Sequence, residues 1–89
     1  MSKLNDVDKK RALILRLKRV EGQLRGIQNL IETEADCEKI AQQLAASRKA
    51  LDKSFFAMVG CILEQEDFGK FKTSAKRGEY IAKMLSRFA

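Results

Sequence analysis

The sequence predicts an all-α protein: a three-helix protomer that must associate with copies of itself. Three observations lead there. Pro is absent and only 5 of the 89 residues are Gly, so little in the chain interrupts a helix. Apolar residues recur at steps of three and four, the spacing of a helix face, and no stretch alternates as a strand would. The third helix predicted by this spacing is too short to cover the first two.

The first helix runs from about Asp8 to Thr33, with Leu13, Leu17, Val20, Leu24, Ile27 and Ile31 forming one heptad-like seam. Asn5 or Asp6 is placed to cap it, and Asp8 suits the positive end of its dipole. Asp36 is a good N-cap for a second helix whose apolar positions include Ile40, Leu44, Leu51, Phe55, Met58 and Ile62, ending near Asp67 before Gly69. The third runs from about Thr73 to Phe88 and presents Tyr80, Ile81, Met84, Leu85 and Phe88. The absence of repeats and low-complexity linkers makes residues 1–89 a single domain.

The first two helices would each be about 40 Å long, and a partner half that length leaves apolar surface on both. A chain this small buries only about 60% of its unfolded surface by itself. An obligate homo-oligomer is the expected form. Met1-Ser-Lys-Leu-Asn-Asp leads into charge, not into an apolar core segment, and no apolar run approaches the roughly 20 residues of a membrane span. The expected location is the cytoplasm, away from membranes.

Charge divides the chain in three. Residues 1–26 carry eight cations against three carboxylates, residues 27–67 four against eight, and residues 68–89 six against one. Basic segments flanking an acidic centre suit a polyanionic partner such as nucleic acid.

The two cysteines, Cys37 and Cys61, read as free thiols or metal ligands, because structural disulfides are rare in cytosolic proteins. Cys37 falls in the first turn of helix two, where the dipole favours thiolate while Asp36 and Glu38 oppose it. Cys61 lies 24 residues on, about 36 Å along a continuous helix, so the two thiols of one chain cannot meet. They meet between chains if helix two pairs antiparallel with its copy about a two-fold axis near Lys49. The chain has no histidine, no C-x-x-C motif and no glycine-rich phosphate loop, which argues against a thiol enzyme. A purely structural helical oligomer would leave the arginine face and the position of Cys37 without a purpose.

Arg16-Leu-Lys-Arg-Val-Glu-Gly-Gln-Leu-Arg-Gly-Ile-Gln, then Cys37, then Gln42-Gln-Leu-Ala-Ala-Ser-Arg-Lys-Ala-Leu51, resembles the CsoR/RcnR family of bacterial repressors, over roughly residues 9–66. The resemblance implies an all-helical dimer of dimers that binds double-stranded operator DNA through a basic face and no helix-turn-helix. It implies release of the DNA when an inducer binds or a thiol reacts. Arg16, Arg19 and Arg48 match DNA-contacting positions of the family, with Lys18 and Arg11 as further candidates.

Departures from the family pattern bear on the inducer. Copper-sensing members combine the cysteine at position 37 with a histidine 25 residues later and a cysteine four beyond it; here those positions are Ile62 and Glu66. Nickel and cobalt sensors need histidines. Persulfide-sensing members link two cysteines across subunits; the second of these matches Glu66 here, so Cys61 would have to substitute from a neighbouring turn. Formaldehyde-sensing members use the cysteine at position 37 with an N-terminal proline, and this chain contains no proline. The expected function is therefore a repressor induced by reactive sulfur or a similar electrophile at Cys37, with Cys61 of another subunit as a candidate partner and no required cofactor. Cu(I) held by the two thiolates, or formaldehyde at Cys37, are the alternatives.

Overall fold

The computed structural model describes residues 3–65 and 71–89. They form α1 (Val7–Glu32), α2 (Cys37–Gln65) and α3 (Ser74–Ser86), with no strand among the described residues. The expected end of the second helix near Asp67, and the comparison position Glu66, lie outside the described residues.

Each boundary has a local cause. Of the two candidate caps of α1, Asp6 serves: its carboxylate accepts the Lys9 backbone N–H at 3.0 Å. At the other end Glu34 adopts a left-handed backbone, φ 59°. The Glu34 N–H donates to the Ile31 carbonyl at 3.2 Å and the Ala35 N–H to the Leu30 carbonyl at 2.9 Å. This pair of bonds closes α1 and turns the chain back on itself. Asp36 then caps α2 as expected, accepting the Lys39 N–H at 3.0 Å, which makes Cys37 the first helical residue. Thr73 caps α3 through the Lys76 N–H at 3.1 Å.

The short turn makes α1 and α2 an antiparallel pair, and three cross-links show the register. Ser47 donates to Gln23 Oε1 at 3.2 Å. Lys9 Nζ pairs with Glu64 at 2.9 Å. The Lys3 N–H donates to Gln65 Oε1 at 2.9 Å. Between the helices, Leu13, Val20 and Ile27 form the inner row of α1, half-buried to buried. The inner row of α2 is Ile40, Ser47, Ser54 and Cys61, with the last three buried. Small side chains at heptad spacing let the two backbones approach. The Ser54 hydroxyl returns a hydrogen bond to the Ala50 carbonyl at 3.3 Å, so its burial leaves no orphaned donor.

The single seam expected on α1 is in fact two rows. Leu13, Val20 and Ile27 face α2, whereas Leu17, Leu24 and Ile31 stay exposed about 40° further round. α2 has the same arrangement, with Leu44, Leu51 and Met58 exposed beside its inner row. The two outer rows adjoin, because Leu24 shares a shallow depression with Leu44 and Leu51. α3 does not cover this face; Phe88 at its end meets Phe55 of α2 edge-on at 5.5 Å.

The protomer is therefore thin and extended, 58 × 28 × 15 Å, with a shortest extent little above the roughly 10–12 Å of one helix. Its radius of gyration is 17.8 Å, against about 12 Å for a compact chain of this length. Its accessible surface is 7222 Å², against about 5,300 Å² for a folded monomer of this mass. No described helix is long and apolar enough to cross a membrane.

Candidate nucleic-acid interface and sensor thiols

The five cations singled out in the sequence occupy three places on the protomer. Arg16 and Arg19, three residues apart on one flank of α1, line a groove floored by Gln23, Ala46 and Ala50. The opposite wall of that groove is Lys49 and Lys53 of α2. These two lysines were not among the sequence candidates, although their four-residue spacing across Ala50 was a readable signal. Arg48 lies elsewhere, beside Leu24, Leu44 and Leu51 on the uncovered apolar face. Arg11 and Lys18 stand on the outer side of α1, with Lys10, around Val7, Ile14 and Leu15. The protomer unites Arg16 with Arg19 and keeps Arg48 and the Arg11–Lys18 pair apart.

In the groove four cations face one another without a carboxylate between them, so the field there is strongly positive. Arg16 is half-buried, and no hydrogen bond or ion pair engages it among the described residues. Such a guanidinium is held by the packing of its stem and leaves its donors free for phosphate. Lys9, by contrast, is committed elsewhere. Its hydrogen bonds to Glu64, and then the charge of that carboxylate, hold its pKa above the ordinary lysine value.

The two thiols have opposite surroundings. Cys37 is exposed, at the first position of α2. Leu44, Arg48, Leu51, Phe55 and Ile62 follow it within about 40° around the helix, so it belongs to the uncovered apolar face. Cys61 is buried and points about 120° away from Cys37, into the inner row against α1. Its sulfur lies 3.2 Å from Gln65 Nε2 and 3.7 Å from the Lys3 carbonyl. Gln65 also donates to that carbonyl while accepting the Lys3 N–H, which fastens the N-terminal segment over the thiol. The protomer does not bring the two cysteines together, as the helix length requires. Among the described residues no group of three or more cysteine or carboxylate side chains is placed to hold a metal ion.

The chain matches the family described as "Metal-sensitive transcriptional repressor" over residues 9–87. It is 50% identical over 36 residues to the copper-sensing transcriptional repressor CsoR of Bacillus subtilis (strain 168), a match covering 40% of this chain and 36% of the relative. It is 39% identical over 57 residues to the copper-sensing transcriptional repressor CsoR of Mycobacterium ulcerans (strain Agy99), covering 64% of this chain and 49% of the relative. The aligned segments thus span between about a third and a half of those relatives' length. No solved structure matches significantly. The family match takes in α3 and all but the first two residues of the α1–α2 pair, including the basic groove and both thiols, and it covers most of the sequence. The chain belongs to the metal-sensitive transcriptional repressors, the CsoR/RcnR family.

Proposed function

We propose that this chain is a DNA-binding transcriptional repressor that works as a homo-oligomer and leaves its operator when Cys37 reacts. The observation that carries this reading is the position of Cys37: exposed, at a helix start, on the same uncovered apolar face as Arg48. The protomer exposes about 1,900 Å² more than a compact monomer of its mass, room for two interfaces of about 800 Å² a side. That supports a dimer which pairs again. Once copies cover the outer rows, Cys37 sits at the junction between chains, and an adduct there changes how they pack. The Arg16, Arg19, Lys49 and Lys53 groove binds phosphates, so DNA affinity falls steeply with salt. A coupling of about 1–3 kcal/mol between the thiol and the DNA gives roughly 5–150-fold release.

With a polysulfide as inducer, the Cys37 thiolate attacks a sulfur atom and expels a polysulfide anion shorter by one sulfur, leaving a persulfide. A second thiolate, from Cys61 of another subunit, then attacks the Cys37 sulfur and expels hydrosulfide, forming the disulfide. Cys61 takes that step only after leaving its contacts with Gln65 and the Lys3 carbonyl. The test is Cys37→Ala, which keeps operator binding and loses induction in fluorescence anisotropy; retained induction would sink Cys37 as the sensor.

A second reading takes its support from the relatives, both of which are copper-sensing repressors. Thiolates suit Cu(I), and Cys37 with a donor from a second chain would supply a histidine-free site. Competition with a chromogenic Cu(I) chelator separates the two. Copper drawn from the chelator by wild type and not by Cys37→Ala supports the metal, and no withdrawal excludes it.

A further inference from the structure

A cavity of about 350 Å³ opens between the first half of α1 and the last half of α2. Its walls are mainly apolar: Leu4, Ala12 and Leu13 from the N-terminal side, and Ala57, Met58, Gly60 and Cys61 from α2. Three charged side chains line it, Lys9, Glu64 and Arg16. Lys9 and Glu64 neutralise each other at 2.9 Å, which leaves the unpaired Arg16 as the one uncompensated charge. The volume lies at the lower end of the range for small-molecule sites. Apolar walls with a single free guanidinium complement a small monoanion with an apolar body. Arg16 also lines the basic groove with Arg19, Lys49 and Lys53, so one side chain forms a wall of both spaces.

We infer that this cavity is an effector site for a small aliphatic monocarboxylate, whose carboxylate engages Arg16 and whose chain packs against Leu13, Ala57 and Met58. A bidentate guanidinium–carboxylate pair takes two of the five N–H donors and neutralises the side chain's charge. Occupancy therefore withdraws Arg16 from phosphate in the neighbouring groove and weakens DNA binding without any reaction at Cys37. The cavity itself stands on geometry alone; only the effect on DNA rests on the repressor reading above.

Octanoate is the probe, titrated calorimetrically into the DNA-free protein alongside hexanoate and butyrate. Each added methylene buried in an apolar wall strengthens binding about fourfold, so octanoate binds roughly 15 times more tightly than hexanoate. Octanoate also slows the reaction of Cys61 with a thiol reagent in the Cys37→Ala background, because its chain covers that sulfur. Ala57→Leu fills the cavity on an exposed, helix-compatible position and abolishes octanoate binding while DNA binding persists. Arg16→Gln removes the preference for octanoate over octanol. Absence of saturable binding, or equal affinity across the series, overturns the site, including the case in which a second copy of the chain already covers it. Octanoate that binds as described yet leaves operator affinity unchanged overturns the coupling through Arg16.

Discussion

Truncating Leu51 to alanine should weaken self-association while leaving the protomer's helices intact. Leu51 lies on the outer row of α2 and is 44% exposed in the isolated protomer. Complete burial of a leucine side chain contributes about 1.5–3 kcal/mol, so covering the exposed part contributes about 0.7–1.3 kcal/mol. A two-fold contact contains the residue twice, which doubles this to about 1.3–2.6 kcal/mol per dimer. The dissociation constant should therefore rise about 10- to 80-fold. Sedimentation velocity over a dilution series measures it, with circular dichroism confirming unchanged helix content. An unchanged constant at full helicity would place the contact between copies on some other surface, and would refute the reasoning from the two outer rows.

Other consequences are accessible to simple assays. Arg19→Ala and Lys53→Ala should each lower the slope of log affinity against log salt by about 0.9 for every copy of the site that touches DNA, with little dependence on operator sequence. A slope unchanged in both variants would remove the groove as a phosphate site. Replacing Glu34, the left-handed residue after α1, by glycine should stabilise the fold by up to about 1 kcal/mol. At matched protein concentration that is a rise in Tm of about 4–8 °C, measured by thermal melts. Because Glu64 raises the Lys9 pKa, the ion pair holds below the ordinary lysine range and is lost as pH climbs through the raised value. In an NMR titration of the Lys9 side chain, Glu64→Gln should return it toward the value of a free lysine.

The caps Asp36 and Asp6 and the existence of all three helices were legible in the sequence because those signals are local: one side chain, one turn of backbone. The shape of the pair interior was not. A hydrophobic reading assigns Leu44, Leu51 and Met58 to the core of α2, whereas the structure places them outside and turns Ser47, Ser54 and Cys61 inward. Close helix approach favours small residues there, and small or hydroxyl side chains carry no hydrophobic signal of their own. The DNA candidates divide in the same way. Arg16 and Arg19 are neighbours on one helix and could be grouped by eye, but Lys49 and Lys53 join them only through the antiparallel register. The burial of Cys61 likewise depends on α1 and on the Lys3 segment, which Gln65, one turn further along α2, fastens over the sulfur from 58 residues away.

The paired rows on α1 and α2 divide mutational tolerance between two tasks. A change at Val20 or Ile27 is felt inside a single chain, whereas a change at Leu17, Leu24, Leu44 or Leu51, each well exposed in the protomer, would in the proposed assembly be felt mainly where two chains meet. A duplicated gene can therefore drift along the outer rows, swapping leucine for isoleucine or inserting a charge, while each product still folds. Complementary drift would make self-contacts better than mixed ones and so keep two such repressors from forming hybrids. A step of four residues, about 40° around each helix, would thus separate the side chains that specify the fold from those that specify which copies recognise each other.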